Sequence, residues 1–492
     1  MPRRSFCSAE RSDAAREKCK DRRMAHRLRI SCLILLLLLT FSCSGGNSGE
    51  EKMISGGPPA AWDLFLDTLQ TRTLHYFLGA MDTATGLTPD RFPTPSPASI
   101  GAVGFALTAY PVAAERHLLS RGEAARRVLK TLRFLYALPQ GEGSVGTSGY
   151  RGFFYHFLDA GTALRTWNCE LSTIDTALLM AGVLFCQSYF DGMTDAEEEI
   201  RSTADALFRR VDWRWAMGDA RGIRLGWEPG KGFHRMAWGG YNEAMILYVL
   251  ALGSPSYPVP ETVWDFWSSS YVWATYEGEA FVSFGPLFGH QFSHCWIDFR
   301  GIRDPYMTSK GIDYFENSRR ATYSQRSYAA ANPRRYREYA DSIWGFSACD
   351  GPGDTSFVVD GDTRKFQSYA ARGVSFDWTN DDGTISPAAA GGSVAFAPEI
   401  AVPCLKAIKN RFGGLVWRDM GFVDSFNPTY VTPATGRAGW FDRDYLGIDQ
   451  GPMALMIENL RDGFVWNVMK KNPYIVSGLK RAGFTGGWLD GR

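Results

Sequence analysis

The chain has 492 residues, 45% of them hydrophobic and 21% charged, with a formal net charge of +1. That composition can bury a large core and excludes a disordered or low-complexity chain. The near-zero charge supplies no field to draw nucleic acid or an acidic lipid surface, so the expected partner is neutral.

In chain order, the first feature is the stretch from Met24 to Cys43, with a basic start, a short apolar run and a small residue before cysteine. This pattern predicts an export signal, too short to span a membrane as a stable helix. Its ending, Thr40-Phe-Ser-Cys43, resembles a bacterial lipoprotein box with Cys43 as the lipidated residue. A flexible Ser/Gly/Asn-rich tether follows. Residues 1–43 are therefore expected to be the leader, with Met24 as its true start, residues 44–60 the tether, and residues 61–492 one large domain. The expected product is an exported lipoprotein of the periplasm or outer membrane, held by its lipid anchor; plain secretion is the alternative.

From Trp62 onward, apolar residues recur at helical spacing, separated by Gly-, Pro- and aromatic-rich connections. Helices are predicted over 62–81, 99–117, 122–138, 172–190, 195–211 and 241–252. Later ones are predicted over 260–276, 309–331, 392–412, 449–462 and 465–481. Some segments, such as those at Ser99 and Ser172, are small and apolar nearly all round; others, such as those at Glu123 and Asp195, are striped and charged. A helix apolar all round is buried and a striped one faces water. Their imperfect alternation predicts an all-α fold, an (α/α)6 toroid in which an inner ring of helices sits within an outer one.

The long connections 139–171, 212–240, 277–308 and 413–448 are expected to gather on one face as a cleft. The chain has 16 Trp, many of them in these polar loops, where rings suit the apolar faces of sugars. Of nine cysteines, those from Cys169 onward are odd in number, widely spaced and without a CxxC pair, so buried free thiols are expected. No Gly-rich phosphate loop, HExxH, GxSxG or basic run is present.

The candidates for chemistry are acids stranded at helix starts beside aromatic loops. Glu243, in Trp238-Gly-Gly-Tyr241-Asn-Glu-Ala, opens an apolar helix; it suits a general acid, or merely a first-turn charge on the helix dipole. Asp175 follows Ser172 at capping-box spacing, with Glu170 just outside. In Trp440-Phe-Asp442-Arg-Asp444-Tyr-Leu-Gly-Ile-Asp449, Asp449 could cap the next helix, whereas Asp442 and Asp444 have no such structural reason. His290, Gln291, His294 and Asp298 suit hydrogen bonding to sugar hydroxyls or packing. The two histidines lack an acidic third ligand at metal-site spacing, so neither metal nor cofactor is expected. Asp90 and Arg91 form a turn that could reach the same cleft.

Four motifs, Glu170-Leu-Ser-Thr-Ile-Asp175-Thr-Ala, Gly239-Gly-Tyr-Asn-Glu243-Ala-Met, Phe288-Gly-His-Gln-Phe-Ser-His-Cys-Trp-Ile-Asp-Phe-Arg and Gly447-Ile-Asp-Gln-Gly-Pro, together resemble the bacterial glycoamylase-like family. The nearest resemblance is to glycoside hydrolase family 144, the β-1,2-glucanases. It covers essentially everything from Trp62 onward. It implies an (α/α)6 toroid, inversion of configuration, no obligatory metal, and cleavage of β-1,2-glucan to sophorose or short sophorooligosaccharides. By motif it implies Glu243 as the essential acid and Asp175 as an inner-helix acid; the base is expected among Asp442, Asp444 and Asp449, with Asp175 as an alternative base or a residue positioning water. Asp90, Arg91, Glu170, Trp238, Tyr241, His290, Gln291, His294 and Trp440 are expected to contact substrate, and a monomer is expected. Endo and exo action stay open. The rival expectations are an exo-acting or α-linkage glucoside hydrolase and a non-catalytic surface glycan-binding lipoprotein.

Overall fold

The computed structural model describes residues 63–431 and 438–492. The leader, Cys43 and the tether lie outside the described residues. Those that are described form one unit, Asp63–Arg492.

Its principal helices are α1 (Leu64–Gly79), α2 (Ile100–Glu115), α3 (Arg121–Ala137), α4 (Thr173–Tyr189), α5 (Asp195–Arg209) and α6 (Met245–Gly253). They continue with α7 (Tyr314–Ala331), α8 (Pro398–Phe412), α9 (Gly447–Asp462) and α10 (Pro473–Arg481). Side-chain caps start many of them. Ser99, Ser120, Ser172 and Thr194 each accept a backbone N–H from the first turn that follows. As the apolar patterning predicts, α2, α4, α6 and α9 are buried along nearly their whole length. The striped α3 and α5 bury one face each. α2 and α4 lie in backbone contact at Gly104 and Gly182, where a methyl group on either residue would collide with the facing main chain. This accounts for the small residues inside otherwise apolar runs: they let two buried helices approach to backbone distance.

The structure is helix-rich but not purely helical. The connections carry short antiparallel ribbons, two-stranded except for one three-stranded sheet. Several expected helices are shorter than the pattern suggests. The 260–276 segment is helical only over Thr262–Ser268 and then pairs as a strand, Trp273–Tyr276 with Glu279–Val282. The 465–481 segment breaks before Pro473, where Asn472 caps a new helix. The predicted helix from Tyr241 begins at Met245, because Asn242 folds its side chain back onto the Ala244 N–H at 2.9 Å.

The ribbons position the site by holding the entrances to buried helices. Ala98–Ser99, entering α2, pairs with Phe157–Leu158. Leu171–Ser172, entering α4, pairs with Gly226–Glu228. Tyr445–Leu446, entering α9, pairs with Arg91–Phe92. Three helix N-termini are thereby tied to loops far away in sequence. The five described cysteines, Cys169, Cys186, Cys295, Cys349 and Cys404, are free and buried, as expected. Among the described residues no helix is long and apolar enough to cross a membrane.

Candidate active site

The ribbon between Arg91 and Leu446 brings the Asp90–Arg91 turn against the entrance to α9, and the Gly447 N–H donates to the Asp90 carbonyl at 2.9 Å. Around that turn collect Asp350, Asp424, Asp442, Asp444 and Asp449. Arg91 pairs with Asp350, lies 3.2 Å from Asp90 and 3.9 Å from Asp444. Asp444 also accepts the Thr94 N–H at 3.1 Å. Asp424 accepts the Asp350 N–H at 2.6 Å. Asp442 folds one oxygen onto the N–H groups of Arg443 and Asp444, at 2.7 and 3.2 Å, and leaves Oδ2 buried without a hydrogen-bond partner.

Asp449 lies inside the first turn of α9, two residues beyond its start, and Leu446 at the cap position makes no side-chain cap. The structure thus removes the capping explanation for Asp449, whose Oδ2 is also buried and receives no N–H or hydroxyl donor. Burial pushes its carboxyl up to about 7; a hydrogen bond with Asp424 opposes the shift, and Asp350 and Asp90 add to it. Burial and the facing Asp449 hold Asp424 well above the usual carboxylate range. The pair therefore favours sharing a proton, because two adjacent carboxylates in a low-dielectric site resist joint ionisation. Burial also lifts Asp442 to about 6, helped by Asp350.

The second half of the site is built at the entrance to α4. Ser172 and Asp175 form the predicted capping interaction: the Asp175 N–H donates to Ser172 Oγ at 3.2 Å, and Ser172 Oγ donates to Asp175 Oδ2 at 2.6 Å. Asp175 does more than cap. The imidazole of His156 lies between it and Glu170, with Nδ1 3.0 Å from Glu170 Oε1 and Nε2 3.5 Å from Asp175 Oδ2. Burial opposes charge on His156, but Asp175, Glu170 and Asp90 outweigh it and raise the ring to about 9. Burial would raise Glu170, yet His156 draws it down to about 2. Trp238 donates its indole N–H to Thr173 at 3.0 Å, which fixes that ring beside the same helix start.

Glu243 stands just before α6, with Oε2 shielded and unpartnered. Burial pushes its carboxyl up to about 7; a backbone hydrogen bond opposes the shift, and Asp175 adds to it. Asp90 acts on both halves of the site, since its charge raises both His156 and Asp449. Burial lifts Asp90 itself above its ordinary value against the pull of Arg91. The arrangement thus offers carboxyls that hold a proton near neutrality on two different helix entrances, as general acid–base chemistry requires.

Other predicted contacts fall elsewhere. Tyr241 is 4% exposed, packed among Trp267, Tyr271, His290 and Tyr314, with its hydroxyl 3.4 Å from Ser318. His290 and His294 are fully buried, and burial drives both rings down to about 3. Gln291 spends its amide on Ala389 and Ser393, and Asp298 is locked between Arg300 and Lys470. These five lie in the interior, where His290 Nε2 faces the Phe284 carbonyl and His294 Nε2 the Ser318 hydroxyl, while the Nδ1 of each ring is buried without a partner. Trp440 is half-buried in the strand Ala438–Phe441, paired opposite Asn427.

Asp350, Asp424 and His156 escaped the sequence reading. For Asp424 and His156 the faint signals were polar residues inside apolar runs, Phe422-Val-Asp-Ser-Phe and Phe153-Phe-Tyr-His-Phe. Oxygens of Asp350, Asp424 and Asp442 lie within 4.8 Å of one another, near enough to surround one cation. Arg91 already brings positive charge to this group through Asp350.

Known proteins share sequence and fold with this chain. Residues 235–473 match the family Glycoamylase, described as "Putative glucoamylase". A curated relative from Parabacteroides distasonis, an exo β-1,2-glucooligosaccharide sophorohydrolase acting at the non-reducing end, is 26% identical over 88% of the chain. The chain spans 60% of that relative's length. A structure of a "putative glucoamylase" from Bacteroides uniformis superposes with a TM-score of 0.74 at 28% identity, over 86% of this chain and 98% of that one. An endo-β-1,2-glucanase from Chitinophaga pinensis, 24% identical, shares the fold with a TM-score of 0.74 over 86% of this chain and 99% of its own. The matched segment and these chain-long similarities make the chain similar to proteins of the glycoamylase-like family.

Proposed function

We propose that this chain hydrolyses β-1,2-glucan to sophorose or short sophorooligosaccharides, with inversion at the anomeric carbon. The observation that carries the reading is that two separately built carboxyl groups, Glu243 before α6 and Asp449 in α9, each leave a shielded oxygen without a donor, and each is raised to about 7, with Asp175 acting on the first and Asp90 on the second. The sophorohydrolase relative supplies the substrate class.

In this mechanism Glu243 enters protonated, since its buried carboxyl favours the neutral form, and gives its proton toward the departing glycosidic oxygen. Asp449 takes a proton from the attacking water. Asp424 holds the shared proton and orients Asp449, while Arg91 keeps the surrounding carboxylates from repelling one another. Asp175, fixed by Ser172 and His156, favours the protonated form of Glu243. Inversion requires a separation of roughly 6.5–9.5 Å between acid and base, so that water fits. The buried helices would form the inner ring of an (α/α)6 toroid with the striped helices outside it, so that the ribbon-tied helix entrances share one face. A leader ending at Cys43 would place the enzyme outside the cytoplasm as a lipoprotein.

The test is reducing-sugar release from linear β-1,2-glucan by protein lacking residues 1–60, in EDTA. Release from this polymer and not from starch is expected. Release from starch alone would move the assignment to an α-glucoside hydrolase, and loss of activity in EDTA would assign a cation to the Asp350, Asp424 and Asp442 group.

A further inference from the structure

Trp167 is 65% exposed, yet it sits on a turn held by side-chain and backbone hydrogen bonds. Trp167 and Asn168 are both left-handed, with φ of 56° and 52°, a conformation that non-glycine residues adopt at a cost and keep only where surroundings impose it. Arg165 imposes it here, donating to the carbonyls of Cys169 at 2.7 Å and Asn168 at 3.0 Å. The Thr166 N–H donates to the Phe157 carbonyl at 3.2 Å, and the Cys169 N–H to the Thr166 carbonyl at 3.1 Å. A strained, bolted turn that presents an indole to water does not contribute to the core.

The ring also has a direction. Trp167 packs against Phe157 at 5.2 Å between ring centroids, and Phe157 stacks on His156 at 3.9 Å and 13°. His156 bridges Glu170 and Asp175. An unbroken ladder of rings therefore runs from the acids at the α4 entrance out to solvent, ending on a rigid apolar surface.

We infer that Trp167 is a stacking platform for a glucosyl ring of the substrate, forming a subsite on the Asp175 side of the cleft; the inference rests on the glucan reading above. A pyranose presents an axial C–H face that fits an indole, and a ring already fixed by its backbone loses little freedom on binding. The chemical class follows from the exposed indole face and the glucan reading: a neutral sugar.

The experiment is calorimetric titration of Glu243→Gln protein, whose turnover should be slowed by roughly 10²-fold or more, with a linear β-1,2-glucooligosaccharide. Adding Trp167→Ala should weaken binding about tenfold, and Trp167→Phe should fall between the two, in line with the stacking energy of one aromatic face. Melting temperature should stay unchanged, because the ring is mostly exposed. Unchanged affinity in Trp167→Ala overturns the platform while leaving the glucan reading intact. If the parent binds a maltooligosaccharide instead, and Trp167→Ala weakens that, the platform stands and the linkage falls. A parent that binds neither sugar overturns both.

Discussion

Arg91 pairs with Asp350 across 259 positions of sequence, joining the turn before α2 to a loop between α7 and α8 inside an otherwise acidic cluster. Breaking a buried pair leaves an uncompensated charge, at a cost of about 3–5 kcal/mol. Arg91→Met should therefore lose about 3 kcal/mol in denaturant unfolding together with most activity. Arg91→Met combined with Asp350→Asn should recover much of the stability and little of the activity. Full stability in the single variant would remove Arg91 from its proposed role.

Glu243→Gln should reduce turnover by roughly 10²-fold or more, the scale of general acid–base catalysis. It should also stabilise the protein in alkali. The folded carboxyl titrates at about 7 and the free one at 4.5, so the parent loses stability as pH rises through that window. Above about pH 8, Glu243→Gln should be more stable by about 1–3 kcal/mol, with no gain near pH 4. Unfolding curves at both pH values check this, and an equal effect at each would contradict a buried, raised carboxyl.

The pH dependence of kcat/KM should be a narrow bell near neutrality. Its alkaline limb follows loss of the Glu243 proton near 7, and its acid limb follows protonation of the Asp442 and Asp449 carboxylates, raised to about 6 and 7 by burial. A profile flat from pH 5 to pH 9 would show that these groups do not titrate in the rate-limiting step.

Asp424 and Asp449 should respond differently to the same change. Asparagine at position 424 keeps a hydrogen-bond donor facing Asp449, so Asp424→Asn should stay within about tenfold of the parent, whereas Asp449→Asn should lose roughly 10²-fold or more. The reverse order, measured by initial rates on β-1,2-glucan, would make Asp424 the base.

Much of this was legible in the sequence because the signals are local. Continuous apolar runs at Ser99 and Ser172 announce buried helices, and Ser172 to Asp175 announces its own cap. Glu243 and Asp449 stand out as acids beside apolar helices. The segment 260–276 misleads, since its aromatic residues suit both a helix face and a ribbon. His290 and His294 look functional because polar residues in aromatic surroundings are ambiguous until burial is known. Asp350, Asp424 and His156 were illegible for a different reason. Their importance comes from pairings with Arg91, Asp449, Glu170 and Asp175 that only the ribbons at the helix entrances create.

The most direct test of the account is proton NMR of fresh product during hydrolysis of linear β-1,2-glucan, before mutarotation equilibrates the new reducing end. Direct attack by water opposite a β-linkage, with Glu243 as acid and Asp449 as base, predicts the α-anomer first. Initial appearance of the β-anomer would contradict it, requiring a covalent intermediate and a carboxylate nucleophile in place of the base.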